Sequence, residues 1–107
     1  MKISVVIPTF NEEEAIGDVV RAVPQNRVAE IIVVDNGSTD STAKQASLAG
    51  ARVVYEPCRG YGFACLAGAQ AVKDADVIVF LDILFAQSPA ELAQGNLIGF
   101  RCHYGSD

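Results

Sequence analysis

The sequence predicts an α/β fold built on a mainly parallel sheet, and three observations predict it. Short β-branched apolar runs alternate with segments of helical pattern at the spacing of βαβ units. The runs are mostly apolar on both alternating faces, as buried strands are. Each run then passes into a polar loop, so the loops gather on one side of the sheet, beyond the carboxyl ends of the strands, where such sheets bind ligands.

Ile3 to Ile7 is the first strand, with Pro8 expected to stop it. Asn11 is expected to cap the following helix, whose first turn would hold Glu12, Glu13 and Glu14 against the helix dipole. Ile16, Val19, Val20 and Val23 recur at i, i+3, i+4 and i+7 and give that helix one apolar face, ended by Pro24. Glu30 to Val34 is the second strand. It leads into Asp35-Asn36-Gly37-Ser38-Thr39-Asp40, where Ser38 or Asp40 can cap an alanine-rich helix that closes at Gly50. Arg52 to Tyr55 is the third strand. After the loop Glu56-Pro57-Cys58-Arg59-Gly60, Tyr61 to Lys73 has helical composition, with Ala64, Ala67, Gly68 and Ala71 small enough for close packing on a sheet. Asp76 to Leu81 is the fourth strand. Beyond Asp82 the pattern weakens: Ser88-Pro89-Ala90-Glu91 reads as a capping box with proline at the first helical position, and Asn96 to Arg101 as a last short strand.

Composition bounds the function. The chain has 107 residues, 50% of them hydrophobic and 20% charged, which fits one small packed domain and not a disordered chain. A net charge of −5 leaves no electrostatic footprint for nucleic acid. Cys58, Cys65 and Cys102 are three in number with no C-x-x-C spacing, so neither a disulfide framework nor a zinc site is indicated. The N-terminus lacks a basic-then-apolar signal organisation. No apolar run approaches the roughly 20 residues that span a bilayer, and a cytoplasmic chain without a transmembrane segment is expected.

The loops exclude several nucleotide folds. The first strand is followed by Pro8-Thr9-Phe10-Asn11-Glu12, which is neither the G-x-G-x-x-G of dinucleotide binding nor a P-loop. A phosphoacceptor domain would need an acidic pair at that place, and a flavodoxin-like module unrelated to sugars is the generic alternative.

Four segments together resemble the GT-A glycosyltransferases of family 2, the group that includes dolichyl-phosphate mannose synthase-like enzymes. They are Val5 to Glu13, Ile31 to Asp40, Arg59 to Ala64 and Ala75 to Asp82, in the family's order. The resemblance covers residues 3 to 82 and implies a Rossmann-like, GT-A-type three-layer sandwich, truncated after about the fourth strand. Residues 1–107 would form a single partial domain, with 3–82 as the nucleotide-sugar-binding half and 83–107 as a divergent or shortened segment. It further implies a UDP- or GDP-linked sugar as donor, a lipid-phosphate, polysaccharide or protein acceptor, inversion at the anomeric carbon, and Mg²⁺ or Mn²⁺. A lipid acceptor would bring the chain to the inner membrane face.

The same resemblance implies the site residues. Pro8, Thr9, Asn11 and Glu12 would border the base and ribose, and Asp35 would accept a hydrogen bond from a ring nitrogen of the base. The alternative for Asp35 is an Asx-type turn or helix cap on the Gly37-Ser38 loop. Ser38 belongs to the same loop. Arg59 and Gly60 fit a loop near the diphosphate, where glycine lets backbone amides approach phosphate oxygens and arginine adds a bidentate contact; the alternative is a tight turn beside an exposed arginine.

Asp82 is the first acid of the family's D-x-D and the expected metal contact. Leu84 stands for the second, and Ala86-Gln87 for the Ser-Asp that often follows, while Pro89, Glu91 and Leu92 remain in register. A leucine offers no oxygen to the divalent ion that neutralises a departing diphosphate. No catalytic base is assigned, because the family supplies it from later sequence; Leu97 to Arg101 is faintly similar to a later family segment, His103 reads as incidental and Asp107 has no role. The competing expectation is a catalytically inactive remnant that binds nucleotide weakly.

Overall fold

A computed structural model describes residues 1–83 and the backbone of residues 99–102. The expectations for Leu84, for Ala86 to Leu92, for His103 and for Asp107 lie outside the described residues, as does the capping box at Ser88.

The elements follow the order β1 (Ile3–Thr9), α1 (Ile16–Ala22), a 3-10 turn (Gln25–Arg27), β2 (Glu30–Asp35), α2 (Thr42–Leu48), β3 (Arg52–Tyr55), α3 (Tyr61–Ala71), β4 (Val77–Leu81) and β5 (Gly99–Cys102). The sheet order is β3-β2-β1-β4-β5. The first four strands are mutually parallel, and β5 pairs antiparallel to β4 with Leu81 opposite Gly99. The chain therefore lays β2 and β3 to one side of β1 and then crosses back to lay β4 on the other. The reversal falls between β1 and β4, the switch point at which open sheets of this kind take ligands.

Three layers result. Val5 and Ile7 of β1, with Ile31 and Val33 of β2, pack against Ile16, Val19, Val20 and Val23 and against Ala46 of α2. On the opposite face Val6, Ile32, Val34, Ile78 and Phe80 pack against Ala64 and Ala69 of α3. Alternate residues of one strand thus enter two cores, which explains why the strand interiors are almost wholly apolar, Ser4 of β1 being the buried polar exception. Gly68 sets how closely α3 lies. A Cβ there would collide with Cγ1 of Val6 and stand 3.0 Å from Cγ2 of Val34.

Helix α2 ends in a Schellman motif: Ala51 N donates to Ala46 O and Gly50 N to Ser47 O, both at 3.1 Å, with Gly50 at φ +107°. Among the described residues no helix is long and apolar enough to cross a membrane. Cys58 and Cys65 are free thiols.

Two local expectations are corrected. Strand β1 does not stop at Pro8 but runs to Thr9, which pairs with Asp35. Its backbone explains why. Ile3 O and Thr9 O accept from Ala29 N and Asn36 N, on the β2 side, whereas Lys2 O accepts from Asp76 N, on the β4 side. Even-numbered residues therefore turn their backbone groups toward β4. Pairing with β4 ends at Val6 opposite Phe80, so the donor that Pro8 lacks would point into the opening between the strands. The ring costs no ladder bond.

The second correction concerns Asn11, which does not cap α1. It sits at φ +52°, a conformation asparagine tolerates better than most residues, and α1 starts only at Ile16. Groups from the next loop have taken its hydrogen bonds: its N donates to Ser38 Oγ and its Oδ1 accepts from Thr39 N, each at 2.9 Å. Ser38 is thereby engaged as well, and Asp40 serves the start of α2, its Oδ1 accepting from Thr42 N at 3.0 Å and from the Thr42 hydroxyl.

Candidate functional site

At the carboxyl ends of β1 and β4 the strands diverge around a cavity of about 260 Å³, bordered by Pro8, Thr9, Phe10, Glu12, Asn36, Arg59, Gly60, Tyr61, Ala64, Asp82 and Ile83. Each element contributes in a way its sequence dictates. Pro8 leaves the cavity edge between β1 and β4 without a backbone donor. Thr9 is turned inward, its hydroxyl donating to Val34 O at 2.9 Å. Asp82 follows immediately on β4.

Hydrogen bonds lace the loops after β1 and β2 together. Besides the Asn11 pair, Glu12 N donates to Thr42 Oγ1 at 2.9 Å and Ser41 N donates to Glu13 Oε1 at 3.1 Å. The loop after β3 is tied in by Asn36, whose side-chain Nδ2 donates to Glu56 O at 2.8 Å and to Cys58 O at 2.9 Å, and whose Oδ1 accepts from Gly60 N at 2.9 Å. Arg59 then reaches back across the mouth, with its guanidinium carbon 3.6 Å from the centroid of the Phe10 ring.

Of the residues singled out in the sequence, Pro8, Thr9, Glu12, Arg59, Gly60 and Asp82 line this one cavity. Asn11 and Ser38 hold the loops behind it. Asp35 lies at the end of β2, buried, with its Oδ1 accepting from Ser38 N at 2.8 Å. That is a local side-chain cap on the loop, reaching three residues on rather than the two of an Asx turn, and it commits one carboxylate oxygen to the loop. Phe10, Tyr61, Ala64 and Ile83 line the cavity without having been singled out for it. Phe10 and Tyr61 lie inside the motif segments Val5 to Glu13 and Arg59 to Ala64, and that position is the signal the sequence offers for them. Asn36 lines the cavity too; its part in joining loops depends on long-range contacts that no local pattern reveals.

The cavity floor is acidic. Burial, then the charges of Asp82 and Asp40, push the Glu12 carboxyl above its ordinary range. Burial pushes the Tyr61 phenol up to about 12, aided by a hydrogen bond with Cys65 and by the charge of Asp82. Tyr61 is therefore a neutral donor at physiological pH. Burial also raises the Cys65 thiol, and Asp82 adds to this, so the thiol is not an activated nucleophile. At Asp40, burial is outweighed by hydrogen bonds from the Thr42 hydroxyl and amide and from Glu13 N, which hold that carboxyl low.

Among the described residues no group of three or more His, Cys, Asp or Glu side chains could hold a metal ion. The donor set does not fit a divalent ion caged by protein alone. What the arrangement offers is an arginine from the loop after β3, carboxylates from the segments after β1 and β4, and a volume just below the ~300–1,000 Å³ usual for ligand pockets.

A family model described as Glycosyl transferase family 2 matches residues 4–83. An uncharacterized glycosyltransferase of Mycobacterium tuberculosis is 47% identical over 77 residues, covering 72% of this chain and 34% of the relative. The glucosyl-3-phosphoglycerate synthase of Mycolicibacterium paratuberculosis is 39% identical over 90 residues, covering 75% of this chain and 27% of the relative. Among solved structures, glucosyl-3-phosphoglycerate synthase from Mycobacterium tuberculosis in complex with Mn²⁺, uridine diphosphate and glucosyl-3-phosphoglycerate is similar with a TM-score of 0.69 and 37% identity, covering 76% of this chain and 33% of that one. The same enzyme with Mg²⁺ and uridine diphosphate gives a TM-score of 0.68 and 39% identity, again covering 76% of this chain, and 32% of its own. The chain spans about a third of the length of these relatives. They support the family, and leave the dolichyl-phosphate mannose synthase-like subgroup as an expectation from the motifs.

Proposed function

This chain belongs to glycosyl transferase family 2, and from that premise we propose that it binds a nucleotide-diphosphate sugar in the cavity between β1 and β4. UDP is the first candidate, because solved relatives hold uridine diphosphate; a GDP-linked donor is the other. Residues 3–82 act as the donor-binding half. The observation that carries this reading is the convergence of Pro8, Thr9, Glu12, Arg59, Gly60 and Asp82, drawn from three separate loops, on one opening at the strand-order reversal.

Roles follow from chemistry. Arg59 neutralises the diphosphate, beside the N-terminus of α3. Asp35, one oxygen fixed by Ser38, presents the other to a ring N–H of the base. Thr9 and Glu12 border the ribose. The cavity is too small to enclose a whole nucleotide sugar, so the sugar end projects past Asp82. In the full reaction that sugar passes to a lipid-phosphate, polysaccharide or protein acceptor with inversion.

A second reading is a catalytically inactive chain that binds nucleotide only. Leu84 favours it, since it stands where the family carries its second D-x-D carboxylate and offers a metal no oxygen. Titrating UDP, UDP-glucose and GDP by calorimetry, with and without Mn²⁺, separates the two. Donor binding that strengthens with Mn²⁺ supports transfer chemistry. Binding indifferent to metal supports the inactive reading, and no binding of any nucleotide overturns both.

A further inference from the structure

We propose that Asn36 is a positioning residue for the diphosphate side of this site, acting through Arg59 and Gly60 rather than by touching the nucleotide. The inference rests on the proposed nucleotide binding and deepens it.

The loop from Glu56 to Gly60 has left the sheet. Strand β3 ends at Tyr55, and one further backbone bond, Glu56 N to Asp35 O at 3.0 Å, continues the pairing with β2. Beyond it the backbone has no strand to pair with. The Asn36 side chain takes over that function. It satisfies Glu56 O, Cys58 O and Gly60 N with bonds of 2.8, 2.9 and 2.9 Å, while its own backbone N donates to Thr9 O at 2.9 Å. One residue, 6% exposed, thus joins the ends of β1 and β2 to the loop that carries Arg59 and to Gly60, the N-cap of α3.

The residue type is dictated by this task. Two carbonyl oxygens need donors and one amide needs an acceptor, at one reach, and among short side chains only asparagine supplies both. The pattern also fixes which side-chain atom is nitrogen and which is oxygen. An aspartate could accept from Gly60 N but would set a carboxylate against two carbonyl oxygens. Glutamine is longer by a methylene and would displace the loop.

Arg59 is held by what surrounds this anchor. Its Cδ lies 3.3 Å from where a Cβ on Gly37 would stand, and Gly37 sits at φ +89°, so the stem rests on a glycine surface next to Asn36. Its guanidinium lies over Phe10. Gly60, at φ +138°, completes a turn that few other residues adopt. Releasing the Asn36 bonds frees the segment that aims the guanidinium.

The test compares UDP with uridine, which lacks the diphosphate, by NMR titration of the wild type, Asn36→Asp, Arg59→Ala and the double variant. Circular dichroism melting establishes that each is folded, and Asn36→Ala carries the same comparison if the aspartate variant is not. The expected result is a loss of roughly tenfold in UDP affinity for Asn36→Asp, no change for uridine, and no further loss when Arg59→Ala is already present. Equal losses for UDP and uridine would put Asn36 against the base, or in the fold alone, and overturn the positioning role. Unchanged UDP affinity in Asn36→Asp would end the assignment while leaving nucleotide binding intact. A wild type that binds neither compound would end the proposed function and this inference with it.

Discussion

Arg59 lies over Phe10, its guanidinium carbon 3.6 Å from the ring centroid, and so joins the loop after β3 to the loop after β1 across the mouth of the cavity. Both side chains are exposed. The contact is worth ~0.5–1 kcal/mol at such a site. Its larger consequence is order, because a long side chain immobilised before binding loses less entropy on meeting a phosphate.

Phe10→Leu keeps an apolar side chain while removing the ring face. The expected outcome is a loss of roughly twofold to fivefold in UDP affinity, matching the energy of the lost contact, with melting almost unchanged. Isothermal calorimetry on both chains checks it. An unaltered affinity would show that Arg59 needs no help from the ring.

Gly68→Ala sets two effects against each other. Alanine improves helix propensity by about 1 kcal/mol, yet its methyl would collide with Val6 and crowd Val34, both fully buried. Overpacking costs ~1–3 kcal/mol, so net destabilisation is expected in urea unfolding. Adding Val6→Ala removes the nearer clash. The double variant is therefore expected to be more stable than the sum of the two single changes predicts.

Glu12 makes stability depend on pH. Burial, Asp82 and Asp40 raise its carboxyl above the ordinary 4.5, so the folded chain binds this proton more tightly than the unfolded chain. The stabilisation is complete below the ordinary value and is lost as pH rises through the raised one. Glu12→Gln removes the term. Its melting temperature is expected to exceed that of the wild type at pH 7, with the difference vanishing toward pH 4. A constant difference across that range would contradict the electrostatic cause.

Much of this molecule can be read from its sequence, and the exceptions share a cause. The strands, the apolar face of α1 and the close approach of α3 follow from β-branched runs, a 3.6-residue period and small residues, all of them local patterns. Pro8 is a strand stop by residue type alone. Its missing donor falls where β4 has already left β1, a fact of topology. Asn11 misled because capping statistics describe a residue and its own helix, whereas Ser38 and Thr39 reach it from another loop. The importance of Asn36 was hidden for the same reason. Its partners lie 20 to 24 residues away.

Leu84→Asp returns the second carboxylate of D-x-D to the sequence position where the family carries it. If the loop after β4 is correctly aligned, Mn²⁺ is expected to strengthen UDP binding to this variant by roughly tenfold or more relative to its effect on the wild type. Calorimetry at matched ionic strength measures both. An identical metal response in the two chains would count against the assignment of that loop.

The most direct test of the account is where UDP lands. In a backbone-amide NMR titration, UDP is expected to shift Thr9 to Glu12, Asn36 to Ser38, Arg59 to Gly62 and Asp82, and to leave Lys2, Ala29 and Asp76 at the opposite end of the sheet unchanged. Shifts confined to that opposite end, or none at all at millimolar UDP, would contradict it.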